Sequence, residues 1–257
     1  MSTWQLETTH ELTVDLLADL FTYNIAAVRV PAYCSAEAAG RLSEMLLTDP
    51  SRENYQARWS TAAGDSLVYE RTDVERVGPA DSAPGEPATS PIAAIRGQRE
   101  AIKRELGPID RLRLELDEIL PGGASLGRDE QGRPRLAGIG RIMWESAEIV
   151  HADVGRRDCL TANVYLRIPH DGGAVRIWQH EGKHLNAATS YRFDEGEIPA
   201  HAPSCIVHPS PGDLVIWNPS MPHVVLDFED APRVTLQAWM LRSPETADGA
   251  FAMRLLN

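Results

Sequence analysis

Residues 211–217 read Pro-Gly-Asp-Leu-Val-Ile-Trp, in which a turn is followed by an uninterrupted β-rich run. Pro-Gly-Asp favours a tight turn, and four apolar residues bounded by turn signals favour a short buried strand. Similar runs recur in the second half of the chain, separated by Gly, Pro, Asn and Asp, at 139–143, 149–151, 160–168, 174–178, 190–193, 205–208, 223–228 and 234–241. Many short strands at this spacing predict a β-sandwich or jelly roll rather than a parallel sheet.

The first half of the sequence has a different period. Apolar residues recur at helical spacing over 13–21, 35–47 and 109–120, whereas 25–30 is a short β-rich run. Residues 77–91 concentrate Pro, Gly, Ala and Ser, as in a lid-like loop or a disordered segment, and a helix is predicted from Ile92. We therefore predict one α+β domain over 1–257. Its mainly helical N-terminal part, 1–138, precedes a jelly-roll core over 139–242.

The composition argues against several classes of partner. A formal net charge of −12 without a basic run disfavours nucleic acid, because phosphate binding needs a cationic surface. No window approaches the ~20 apolar residues of a membrane span, and residues 1–15 lack the features of a signal peptide. Cys34, Cys159 and Cys205 are far apart, which suits a reducing compartment. We expect a soluble cytoplasmic protein, and a homodimer remains open.

Residues 180–184, His-Glu-Gly-Lys-His, fit the H-E-x-x-H pattern of zinc proteases. That pattern requires a helix, but these residues follow the strand-like run 174–178, and Gly182 would cost about 1 kcal/mol inside a helix. On a strand, His180 and His184 would lie about 13 Å apart, too far for one metal ion. We interpret the stretch as a strand end or loop.

A second pair of histidines has more suitable surroundings. The strand-like run at 149–151 leads into His151-x-Asp153, and residues i and i+2 of an extended chain project to the same face. The run at 214–217 leads on to His223, and Arg233 and Thr235 belong to the last strong strand. Two histidines and one carboxylate on one face of a metal suit non-haem Fe(II) and oxygen chemistry.

This ordered set, with the 211–217 stretch before the second histidine, resembles the Fe(II)- and 2-oxoglutarate-dependent oxygenase superfamily over roughly 139–241. The resemblance implies a double-stranded β-helix, cupin-like in architecture, that holds Fe(II) by His151, Asp153 and His223. It also implies that Arg233 binds the distal carboxylate of 2-oxoglutarate, with Thr235 adding a hydroxyl. O2 would be the second co-substrate.

Three segments, 69–78, 150–155 and 169–178, are similar to the small standalone oxygenases that hydroxylate or halogenate amino acids and alkaloids. In the halogenases a small residue replaces the carboxylate ligand, whereas this sequence retains Asp153. The resemblance therefore implies hydroxylation of an unactivated C–H bond, with decarboxylation of 2-oxoglutarate to succinate. Desaturation or cyclisation by the same chemistry, or a cupin-like protein that binds a small ligand without turnover, remain as alternatives.

The expected substrate is a free amino acid or an amino-acid derivative. Because a buried carboxylate or amine must be paired, the pocket of such an enzyme needs charged side chains. Arg71 is the first candidate for an anchor of the substrate carboxylate. Arg141 and Glu145 are further candidates, and Trp239 is a candidate for the pocket wall.

Overall fold

The fold is that of a computed structural model, which describes residues 4–49, 52–56, 68–72, 106–128, 131–134, 137–146, 149–153, 157–186, 190–229, 231–243 and 251–256. The predicted lid-like segment 77–91 lies outside the described residues, as does 92–105 of the helix predicted from Ile92.

Three α-helices form where the apolar period predicts them: α1 (Val14–Phe21), α2 (Ala36–Thr48) and α3 (Pro108–Ile119). The side chains of Thr13 and Ser35 cap α1 and α2 by accepting a hydrogen bond from a backbone N–H three residues on. Each helix buries leucines on one face. In the described ranges, no helix has the length and hydropathy needed to span a membrane.

The larger of two β-sheets contains strands from both halves of the chain. Its strands are β1 (Leu6–Thr8), β2 (Ala27–Val30), β3 (Arg52–Gln56), β4 (Val68–Thr72), β5 (Ala124–Leu126), β6 (Ile139–Met143), β8 (Cys159–Arg167), β12 (Leu214–Trp217), β14 (Arg233–Arg242) and β15 (Met253–Leu256). The order across the sheet is β1-β2-β12-β8-β14-β6-β4-β3, and β15 pairs with both β14 and β5.

The smaller sheet consists of β7 (His151–Ala152), β9 (Val175–Trp178), β10 (Tyr191–Arg192), β11 (Ser204–Val207) and β13 (His223–Val225). Its order is β10-β7-β13-β9-β11, and all its pairs are antiparallel. From β6 to β14 the chain passes repeatedly between the two sheets, so that the order β6-β14-β8-β12 opposes the order β7-β13-β9-β11. This arrangement is a double-stranded β-helix, which confirms the predicted jelly roll with flanking helices.

Two apolar layers follow from the alternation of side chains along the strands. One layer joins the helices to the outer face of the larger sheet and includes Val234, Leu236, Ala238 and Met240 of β14. The other lies between the sheets, along β8, β9, β11 and β12. The intervening residues of β14, which begin with Arg233, therefore face the space between the sheets, where the functional site lies.

The stretch at 211–217 joins the β-helix to the N-terminal part of the chain. Gly212 has φ +93°, and a Cβ atom there would lie 2.4 Å from the carbonyl oxygen of Cys34, so this turn requires glycine. The buried carboxylate of Asp213 accepts hydrogen bonds from Arg29 Nε at 2.7 Å, Ala32 N at 3.0 Å and Ser210 N at 2.8 Å. Asp213 thus fixes the end of β2 against the start of β12.

The N-terminal part also contains more strands than the sequence predicts. The run at 25–30 contains β2, but β1, β3, β4 and β5 have three to five residues each and no clear period. They form because existing strand edges offer them backbone partners.

Candidate functional site

Three predicted side chains meet where β7 ends and β13 begins. His151 and His223 are directly opposite in the ladder between these strands, and Asp153 follows β7 immediately. One ligand atom from each residue lies within 4.8 Å of the other two. Asp153 Oδ1 is 3.6 Å from His151 Nε2, and Oδ2 is 3.6 Å from His223 Nε2. The space between the three groups has the size of a metal site.

Both imidazole rings are oriented by the backbone. Nδ1 of His151 lies 2.9 Å from the carbonyl oxygen of Ile149, and Nδ1 of His223 lies 2.8 Å from that of Met221. A carbonyl can only accept, so each Nδ1 carries the proton and each Nε2 presents its lone pair. A hydrogen bond at Nδ1 is the usual way in which proteins orient a metal-binding histidine. Asp153 is held by its own N–H, which donates to Pro219 O at 3.0 Å.

The electrostatics keep two of these side chains in the form that binds metals. Burial, followed by the neighbouring His223, lowers the pKa of His151 to about 4. Burial alone would raise the pKa of Asp153, but His223, His151 and Arg141 together hold it well below its usual range. At neutral pH the site therefore contains a neutral imidazole beside an ionised carboxylate. Neither group has to lose a proton before it coordinates a cation.

Arg233 is a buried cation with neutral hydrogen-bond partners. Its Nε donates to Gly173 O at 3.2 Å and its Nη2 to the hydroxyl of Tyr165 at 3.1 Å, while Nη1 lies 3.4 Å from Met143 Sδ. In the described part of the chain, no carboxylate forms an ion pair with it. A buried charge is costly unless it is paired, which makes Arg233 a candidate site for an anionic ligand.

Thr235 is also buried, on the same face of β14 as Arg233. Sequence reasoning missed Tyr165, which is fully buried with its ring centroid 4.9 Å from Arg233 Cζ. Burial raises the pKa of Tyr165, so its hydroxyl stays protonated at neutral pH. The alternation along 160–168 could have indicated that Tyr165 faces inward, but the sequence does not show which strand lies opposite.

The Gly172-Gly173 corner gives Arg233 its backbone acceptor. Gly172 has φ +93°, and a Cβ atom there would lie 1.9 Å from the carbonyl oxygen of Asp227. Gly173 has φ +71°, and its own Cβ position is 3.6 Å from Arg233 Cδ. A side chain at position 172 would therefore force two backbone segments apart, and the positive φ at both positions favours glycine.

The four substrate candidates lie in different surroundings. Arg141 is half-buried on the inner face of β6, opposite Thr235. Trp239 is half-buried on the same face of β14 as Thr235. Glu145 is exposed beyond the end of β6, where its carboxylate is accessible to solvent. Arg71 stands opposite Arg141 in the backbone ladder between β4 and β6, and the structure describes only the backbone of Arg71.

A row of polar side chains on the inner face was not predicted. Gln237 and Thr161 are buried on neighbouring strands, and Gln237 Nε2 donates to Thr161 Oγ1 at 2.8 Å. The nearby Asn163 donates to the same oxygen at 3.3 Å. Gln237 Oε1 is buried and makes no hydrogen bond within the described residues. The interior of the β-helix near β6 and β14 is therefore polar, whereas the interior near β9, β11 and β12 is apolar.

The His-Glu-Gly-Lys-His stretch is a strand end followed by a loop, as predicted, but its two histidines lie closer together than they would on a strand. These residues leave β9 and enter the 3-10 helix Lys183–Asn186, so they are not extended. The ring centroids of His180 and His184 are 5.9 Å apart, whereas an extended chain would separate the residues by about 13 Å. His184 is buried against Phe193, with centroids 4.8 Å apart. Among the described residues, the cluster suited to a metal contains His151, Asp153 and His223, and neither of these two histidines.

No protein-family model matches this sequence, and a comparison with curated proteins finds no match. Among solved structures, an oxidoreductase of the 2OG-Fe(II) oxygenase family from Burkholderia pseudomallei is similar with 15% identity and a TM-score of 0.51, over 92% of this chain and 93% of that chain. A Pseudomonas putida prolyl-4-hydroxylase has 19% identity and a TM-score of 0.44, over 89% of this chain and 98% of that chain. An N-substituted L-amino acid dioxygenase from Burkholderia ambifaria AMMD, in complex with alpha-KG, has 12% identity and a TM-score of 0.49, over 95% and 90%. The similarity to the Burkholderia pseudomallei structure establishes that this chain has the fold of a 2OG-Fe(II) oxygenase.

Proposed function

We propose that this chain is an Fe(II)- and 2-oxoglutarate-dependent oxygenase that hydroxylates an unactivated C–H bond of an amino acid or an amino-acid derivative. One observation carries the proposal: His151, Asp153 and His223 bring three ligand atoms within 4.8 Å of one another inside a double-stranded β-helix. Arg233, buried in the same interior without an anionic partner among the described residues, supports the choice of co-substrate.

The three side chains fit Fe(II). Two neutral imidazoles and one carboxylate form the donor set of non-haem iron oxygenases, in which the remaining positions of the metal stay open. The hydrogen bonds at Nδ1 aim both Nε2 atoms at the space beside Asp153. With its carboxylate ionised at neutral pH, Asp153 gives the site a negative charge that favours a divalent cation.

The surroundings of Arg233 fit a dicarboxylic co-substrate. Its planar guanidinium can donate two parallel hydrogen bonds to a carboxylate, and the hydroxyls of Tyr165 and Thr235 lie on neighbouring inner positions. We infer that these three side chains bind the distal carboxylate of 2-oxoglutarate. When bound together, Fe(II), 2-oxoglutarate and O2 supply the oxidation of a C–H bond while 2-oxoglutarate is decarboxylated to succinate.

The remaining side chains of the interior would orient the substrate and exclude water. The polar residues on β6, β8 and β14 fit a polar small molecule better than a hydrocarbon. We take 1–257 as one domain, because β1–β5 join the same sheet as strands of the β-helix.

Anaerobic addition of Fe(II) and 2-oxoglutarate tests the metal and co-substrate directly. A metal-to-ligand charge-transfer absorption in the visible range should appear in the wild type and be lost in His151→Ala. His170→Ala is the matched control, because the side chain of His170 is 93% exposed beside Asp171 on the surface and should not affect the absorption. Absence of the absorption from the wild type, also after other divalent metals have been tried, would contradict the proposal.

A panel of L-amino acids and N-acyl amino acids tests the reaction. We expect succinate release coupled to a product that is heavier by one oxygen atom. With chloride present, no chlorinated product should form, because Asp153 occupies the position that a halide would need. A chlorinated product from the wild type would refute the role of Asp153 as a ligand.

A further inference from the structure

Arg141 lies on the inner face of the β-helix, on the side of the candidate metal centre. Its neighbour Ile142 packs into the apolar layer between the helices and the outer face of the larger sheet. Because side chains alternate along β6, Arg141 is directed towards the space between the two sheets. In the ladder between β6 and β14, Arg141 is opposite the buried Thr235. In the β-helix, β6 stands across from β7, so this inner face is directed towards the strand that carries His151.

One donor of Arg141 has no acceptor among the described residues. Its Nε atom is buried and makes no hydrogen bond within the described residues. Asp153 is the nearby carboxylate, but its two oxygens lie towards the Nε2 atoms of His151 and His223. Burying the donor group of a cation without an acceptor is unfavourable, and such positions in native proteins commonly face a ligand.

Arg141 and Arg233 occupy successive inner positions of the ladder between β6 and β14. Arg233 stands opposite Met143 in the ladder, two positions from the level of Arg141. Arg233 donates a hydrogen bond to Tyr165, whereas the buried Nε of Arg141 makes no hydrogen bond within the described residues. If Arg233 binds the distal carboxylate of 2-oxoglutarate, Arg141 is left for a second anion on the metal side.

A count of charges over the described residues leads to the same result. Asp153 contributes one negative charge, and Arg141 and Arg233 contribute one positive charge each. With a divalent iron and a doubly negative 2-oxoglutarate bound, the site would carry one positive charge in excess. A net positive charge inside the β-helix favours a ligand with one negative group.

We propose that Arg141 binds a carboxylate of the substrate, so that the substrates of this chain are small molecules with a carboxylate, such as amino acids with a free α-carboxyl group. The inference rests on the proposed function and assigns the anchor to Arg141 rather than to Arg71. The planar fork of donors on arginine matches a carboxylate in a way that a lysine does not.

Pairs of ligands that differ in one charge test the proposal. Each L-amino acid and N-acetyl-L-amino acid is compared with its carboxamide, by calorimetric titration of the anaerobic protein loaded with Fe(II) and 2-oxoglutarate. Carboxylates should bind about tenfold to a hundredfold more tightly than their carboxamides, the usual value of a charge-assisted pair. Arg141→Gln should abolish this preference, and Arg141→Lys should retain part of it.

Two controls separate this proposal from the proposed function. The charge-transfer absorption should persist in Arg141→Gln, which shows that the variant is folded and still binds iron and 2-oxoglutarate. Arg167→Gln, which removes a surface ion pair with Glu44, should leave both the absorption and the preference unchanged. The proposal is overturned if no carboxylate binds, or if carboxylates and carboxamides bind alike. The proposal is equally overturned if Arg141→Gln weakens the binding of 2-oxoglutarate as strongly as Arg233→Gln does, because Arg141 would then bind the co-substrate.

Discussion

Acidification should destabilise the metal-free protein through His151. Burial and the neighbouring His223 lower the pKa of this residue from 6.5 to about 4 in the folded state. In the unfolded chain the imidazole takes up a proton first. The stabilising contribution is therefore fully present above pH 6.5, is lost as the pH falls towards 4, and changes little below that value.

The size of the effect follows from the two pKa values. Between pH 7 and pH 5 the imidazole of His151 becomes protonated in the unfolded chain but stays neutral in the folded protein. This difference lowers the free energy of unfolding by about 2 kcal/mol. The carboxyl group of Asp153 affects the free energy of unfolding at lower pH. Its folded pKa is held below the usual value of 3.8, so its contribution is present above 3.8 and is lost only as the pH falls further.

Urea unfolding at pH 7 and pH 5, in the presence of a chelator, measures the loss. The wild type should lose about 2 kcal/mol more than His151→Gln over this interval. His170→Gln, which changes an exposed histidine, should behave like the wild type. If the wild type and His151→Gln show the same pH dependence, the argument from burial is refuted.

Three further substitutions have defined outcomes. Arg233→Lys should weaken 2-oxoglutarate binding about tenfold to a hundredfold in calorimetric titration, because one ammonium cannot replace the guanidinium fork, while Arg242→Lys at the exposed end of β14 should not. Asp213→Asn should lower the urea unfolding free energy by about 2 kcal/mol, since an amide cannot accept from three donors around its former carboxylate. Gly172→Ala should cost at least about 2 kcal/mol at the melting temperature, because it combines a positive φ with a steric conflict; an unchanged melting temperature would argue against this corner geometry.

The sequence pattern was sufficient to predict the jelly roll and the common face of His151 and Asp153. A spacing of i and i+2 on an extended chain is a local property, so the common face of these residues could be predicted and is confirmed. The order of strands also made it reasonable to expect His223 nearby. Its position directly opposite His151 is a matter of register between β7 and β13, which no local pattern specifies.

Other features depend on contacts that a sequence does not display. Tyr165 becomes a partner of Arg233 only because β8 and β14 pair with a bulge between Val234 and Thr235. His180 and His184 approach each other because the chain turns into a 3-10 helix after β9. Such turns depend on packing against neighbouring residues, here Phe193, rather than on the period of the sequence.

The pairing of β2 with β12 has a consequence for solubility. All four residues of β12 are buried, and without β2 the strand would present a row of unpaired backbone groups at the edge of the sheet. An exposed edge of apolar residues is a template for association with other chains. The short β1, three residues long, pairs with β2 and leaves little edge to solvent. A truncated chain that begins after Val30 should therefore aggregate through β12, even though His151, Asp153 and His223 would still be present.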